Sequence, residues 1–143
     1  HALLQENLSE TARALSDLDK TITLRGQNEI ADPNLSLESK IAFAHQAYED
    51  LAKGFTFIIN NFLSNIRSSS AQKVTVKALP PEQDLDTSLM IDFSACNETL
   101  STEAFNHVFQ LIYPYLHPDK CINIQGCTSL APSVRRELNP HLI

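Results

Sequence analysis

Residues 57–81, FIINNFLSNIRSSSAQKVTVKALPP, hold the change of period that decides the fold. Up to Arg67 the apolar residues recur at three- and four-residue intervals, the spacing of one face of a helix. Past the polar break of Ser68, Ser69, Ser70 and Gln72, Val74, Val76 and Ala78 alternate with Lys73, Thr75 and Lys77. That period of two reads as a half-buried strand, closed by Pro80 and Pro81, which cannot donate to a ladder. Helix therefore gives way to sheet near residue 68, which predicts an α+β chain with units 1–67 and 68–143.

Upstream of this stretch, Leu37, Ile41, Ala44, Tyr48, Leu51, Phe55, Ile58 and Phe62 keep heptad spacing. Ser36, with Glu38 in the first turn behind it, is the predicted N-cap, and Asp32, Pro33 and Asn34 form the preceding turn. After Gly54 the stripe widens through Phe57, Ile59, Leu63 and Ile66, so that half is expected to be buried on two sides. A second seam runs through Leu4, Leu8, Thr11, Leu15, Leu18 and Ile22, and Gly26 is its predicted stop. Glu6, Glu10, Arg13, Asp17, Asp19 and Lys20 occupy the other faces of that segment. Together the segments predict an N-terminal helical hairpin or coiled coil. A hairpin of this kind buries too little surface to stand alone, so Leu4, Leu8, Leu15, Leu18 and Ile22 are expected to meet a partner. The partner would be a second copy, giving a four-helix arrangement, or a heterologous coiled-coil chain.

Downstream, Leu89, Ile91, Phe93 and Ala95 alternate with Met90, Asp92, Ser94 and Cys96 as a second strand. Ser101 or Thr102 caps a helix with Phe105, Val108, Phe109 and Ile112 on one face, ended or kinked by Pro114. Residues 121–125 alternate again as a third strand. The helix between strands two and three implies a crossover and so a parallel pair. Cys96 and Cys127 close those strands at the same end and are candidates for a disulfide, whereas Cys121 lies at the opposite end. Three reduced thiols that only fill space are the open alternative.

Composition narrows the function classes. With 143 residues the chain has room for about one domain. At 43% apolar and 20% charged it is too hydrophobic for wholesale disorder. A net charge of -6 disfavours nucleic acid as a partner. The most apolar run, residues 55–66, is broken by Asn60, Asn61 and Asn65 and falls short of the ~18 residues of a membrane span. Glycines 26, 54 and 126 are isolated and make no phosphate loop. His117, Cys121, Cys127 and Cys96 lack the tight Cys-x2-Cys knuckle of a zinc site, and no such pair serves redox chemistry. The acid pairs Glu49/Asp50, Glu82/Asp84 and Asp84/Asp86 read as solvating charge, and His45 and His107 as ordinary helix residues. Asn7, Asn34 and Asn97 begin Asn-x-Ser/Thr triplets at a frequency that chance supplies. No catalytic, cofactor or metal residue emerges, and a non-enzymatic, protein-binding role is expected.

From Phe57 onward the chain resembles a known group. The segment FIINNFLSNIRSSSAQKVTVKALPP, followed by SLMIDFSACNETLSTEAFNHVFQLIYPYLHPDKCINIQG, is similar to the periplasmic ferredoxin-like region of inner-membrane platform proteins of type IV pili and type II secretion, the PilO, PilN and GspM-like group. The resemblance covers about half of the chain. It implies a ferredoxin-like sheet with a covering helix, in a membrane-tethered, periplasmic or otherwise extracytoplasmic scaffold that pairs with a copy of itself or with a paralogue. It implies no cofactor, and a membrane anchor would precede residue 1; His1 itself reads as a tag remnant. Three cysteines, Pro114 within the helix and the lack of a membrane segment depart from the group. An exposed sheet edge is expected as a second contact surface. Two other classes fit the same pattern. One is a sensor module with an apolar ligand pocket lined by Phe93, Phe105, Phe109 and Tyr113. The other is an intracellular coiled-coil adaptor.

Overall fold

The computed structural model describes residues 2–66, 74–79, 88–93, 102–116, 122–123 and Arg136. Helix α1 spans Ala2–Ile30 and helix α2 spans Leu37–Ile66, packed on each other as a hairpin. The turn between them is built by side chains. Asp32 accepts the Asn34 N–H on Oδ1 at 2.9 Å and the Leu35 N–H on its carbonyl at 3.2 Å. Ser36 Oγ accepts the Ser39 N–H at 3.2 Å, so the predicted N-cap is in place. Gly26 does not end α1, which runs one turn further. A Cβ on Gly26 would lie 3.4 Å from Ala47 Cβ, so this glycine brings the helix backbones close instead of stopping one of them. The helix ends shortly before Pro33, in keeping with the restriction proline places on the residue preceding it.

Strand β1 (Thr75–Leu79) pairs antiparallel with β2 (Ser88–Asp92), with Val76 opposite Ile91. Helix α3 (Thr102–Ile112) and a 3-10 turn at Tyr113–Tyr115, which carries Pro114, lead back to β3 (Ile122–Asn123). β3 lies parallel to β2, with Ile91 opposite Ile122, as a crossover helix requires. The chain is α+β. In a ferredoxin-like sheet the βαβ unit is split by an intervening strand, whereas β2 and β3 pair directly; the described strands do not amount to that sheet. β2 also departs from simple alternation. Leu89, Ile91 and Phe93 are buried on one face, and Met90 and Asp92 are buried on the other. A central strand has both faces to cover, and alternation in its sequence does not say that one of them is solvated.

One core runs through hairpin, sheet and α3, crossing the sequence division at residue 68. Leu15, Ile22, Leu51, Phe55, Ile59, Phe62, Val76, Ile91, Phe105 and Ile112 all belong to it. The seam of α1 therefore meets the chain's own α2. Leu15 is fully buried and Ile22 nearly so, while Leu8 and Leu18 are half-buried against the same core. Within the chain, α2 and α3 pack on α1 and cover Leu15 and Ile22, while Leu8 and Leu18 keep part of their surface open. Thr11 is tolerated in the seam because its hydroxyl donates to the Asn7 carbonyl at 2.7 Å. No helix among the described residues is long and apolar enough to cross a membrane.

Candidate functional site: a half-covered helix face and a closed sheet edge

The core face of α2 is a continuous apolar stripe with uneven cover. Toward its C-terminus the stripe comprises Leu51, Phe55, Ile59 and Phe62, all buried by α1, the sheet and α3. Phe55 meets Tyr115 of the 3-10 turn edge-on, ring centroids 5.0 Å apart, and Phe62 meets His107 of α3 edge-on at 6.5 Å. Toward the hairpin turn the same face continues as Leu37, Ile41, Ala44 and Tyr48. Leu37 is 60% exposed and the other three are half-buried. Phe43, 40% exposed, lies on the same half of the helix. Phe57, expected in the widened buried stripe, is 75% exposed, so that expectation is corrected there while Ile59 and Leu63 are buried; Leu24 is also exposed, singly, which is normal for a protein surface.

The second feature is the outer edge of β1. In a strand, alternate residues send N–H and C=O to opposite edges, and Val74 and Val76 send theirs away from β2. Asn60 of α2 answers Val74 with both ends of its amide. Its Oδ1 accepts the Val74 N–H at 2.9 Å, and its Nδ2 donates to the Val74 carbonyl at 2.8 Å. Thr56, one turn earlier, accepts the Val76 N–H on Oγ1 at 2.8 Å, with its hydroxyl 3.2 Å from the Val76 carbonyl and 2.8 Å from that of Ala52. This edge is therefore occupied at Val74 and Val76, so the outer edge of β1 is not open there as a contact surface.

Titratable groups form isolated pairs. Arg25 of α1 bonds Asp50 of α2 at 2.7 Å, and Gln46 donates to the same carboxylate at 3.2 Å. The Arg25 hydrogen bond, aided by Gln46 and opposed by partial burial, holds the Asp50 carboxyl below the usual range. His45 sits 3.0 Å from Glu49 on its own helix and is half-buried. Lys77 reaches Asp92 at 2.9 Å across the sheet, which gives the buried carboxylate a cation. Burial, with Asp19 nearby, pushes the Tyr115 hydroxyl above its ordinary value. Among the described residues, no three His, Cys, Asp or Glu side chains gather as metal ligands would.

The residues singled out from sequence are dispersed. The Leu4 side chain, Cys96 and Cys127 lie outside the described residues, as do Cys121 and His117. Phe93, Phe105, Phe109 and Tyr113 do come together, but as a stack. Successive ring centroids are 5.1, 6.0 and 5.0 Å apart, so the rings fill one another's space. Thr56 and Asn60 escaped sequence reasoning, although two polar residues one turn apart in the apolar half of α2 were the available signal. No protein family, curated protein or solved structure matches this chain.

Proposed function

We propose that this chain is a non-enzymatic assembly or scaffold protein that works through helix–helix contact with a second copy of itself. The observation that carries the reading is the half-covered stretch of α2, where Leu37, Ile41, Ala44 and Tyr48 prolong the core stripe toward the hairpin turn. Apolar surface laid along a helix at this spacing is what a facing helix buries. A two-fold pairing of the hairpin ends would bury the same residues on both copies. The seam of α1 contributes to the fold, with Leu8 and Leu18 at its margin.

The resemblance to type IV pilus and type II secretion platform proteins supplies the setting of the proposal: a periplasmic, membrane-associated complex, with a paralogue as the alternative partner. The ferredoxin-like part of that resemblance has the direct pairing of β2 with β3 against it. A Cys96–Cys127 bridge belongs to the same proposal, since an oxidising compartment would leave one free thiol of three.

The test is the mass of the full chain by light scattering over a wide concentration range, with and without Leu37→Asp and Ile41→Ser. The parent should show a dimer that the double variant dissociates at unchanged helix content. A parent that stays monomeric throughout would sink the self-association reading.

A further inference from the structure

We infer that Thr56 and Asn60 act as a substitute strand, closing the outer edge of β1 against pairing with a second copy of this chain. Strand β1 stands at the end of the sheet order β1-β2-β3, and an unpaired edge is a template for another strand. Charge, another protection such edges use, is spent elsewhere here. Lys77 is the single charged residue of β1, and its ammonium is bonded to Asp92. The two α2 side chains supply what charge does not.

The match between helix and strand has a geometric cause. Four residues of helix advance about 6 Å, and two residues of strand about 6.6 Å. Polar side chains at positions four apart therefore meet every second strand residue, and the chain directions oppose, with Thr56 at Val76 and Asn60 at Val74. Asn60 reproduces the donor-and-acceptor pair that a neighbouring strand residue would present. Ala52, one turn before Thr56, has no polar group for Ala78, and Pro80 beyond it has no N–H. What is left of the edge is too short to seat a strand. Once Thr56 and Asn60 are made apolar, Val74 and Val76 lose their partners beneath α2, and wherever the weakened α2–β1 contact opens they present free edge groups together with Ala78. An antiparallel β1–β1 contact between two copies is then the simplest way to satisfy them.

The experiment compares the full chain with its Thr56→Val, Asn60→Leu double variant, both carrying Leu37→Asp so that any association through α2 is removed. Sedimentation and residue-resolved hydrogen exchange are the readouts. The double variant should gain a concentration-dependent larger species. At low concentration its Val74 and Val76 amides should exchange about tenfold faster than in the parent, protection returning at high concentration. Thr56→Ser, which keeps the hydroxyl, should behave as the parent. An unchanged mass in a cooperatively folded double variant overturns the inference, and so do parent Val74 and Val76 amides that exchange as in an unfolded chain. Should the double variant not fold, Thr56→Val alone decides, and unchanged mass with unchanged Val76 exchange would overturn it.

Discussion

The two halves of α2 carry the same apolar spacing and meet different surroundings. From Leu51 to Leu63 the core face of the helix is covered, with Leu51, Phe55, Ile59, Phe62 and Leu63 buried while Phe57 on another face is exposed. From Leu37 to Tyr48 the stripe is half-covered, with Leu37 60% exposed. The difference teaches that periodicity names the face a helix will bury but not the surface that buries it. A core residue and a contact residue can have identical sequence signatures.

Phe55→Ala should break that comparison most visibly. Removing a fully buried ring that packs on Tyr115 should cost about 3–5 kcal/mol in denaturant unfolding. Leu37→Ala, at a position 60% exposed, should stay within about 0.5 kcal/mol. Comparable losses at the two sites would mean that the hairpin end is covered in the monomer after all.

The two helical glycines of the hairpin sharpen the contrast with effects of opposite sign. A methyl on Gly54 would overlap a Leu18 side-chain carbon, and although that chain end can swing, it is packed at the margin of the core. Gly54→Ala should therefore lower stability by about 1–2 kcal/mol despite its better helix propensity. A methyl on Gly26 meets Ala47 at ordinary contact distance, so Gly26→Ala should raise stability by about 0.5–1 kcal/mol. Melting temperatures that move in the same direction would contradict this account of the helix approach.

The smallest effect belongs to Asp50, whose carboxyl is held below its usual range chiefly by the hydrogen bond from Arg25. Its contribution is present above the unfolded carboxylate value of ~3.9 and is lost as pH falls below it through the lowered folded value. Both partners are partly exposed, so the pair is worth less than about 1 kcal/mol and weakens with salt. Asp50→Asn should flatten the acid limb of stability against pH by that small amount. A large salt-insensitive loss would show that the pair organises more of the hairpin than its exposure suggests.

Much of the fold was legible in local chemistry. Ser36 announced the start of α2, the alternation at Val74 and Val76 announced β1, and a helix between two short strands announced the parallel β2–β3 pair. Gly26 was misread because a glycine that lets backbones approach looks the same in sequence as one that ends a helix. The buried second face of β2 was missed for a related reason, since Met90 and Asp92 alternate with apolar residues whether water or protein lies beyond them. Of the candidate surfaces, the stripe from Leu37 to Tyr48 could be read as apolar but not as uncovered. Asn60 and Thr56 could be read as polar but not as partners of a strand.

Sequence alone determined where helices and strands form and which face of each is apolar, because those properties depend on residues a few positions apart. Tertiary structure decided that Leu15 and Ile22 of the α1 seam are buried within the chain, that α2 takes the β1 edge at Val74 and Val76, and that the apolar stripe near the hairpin turn is left half-open. Those outcomes depend on which elements reach which, a matter of helix length and layer size that no periodicity encodes.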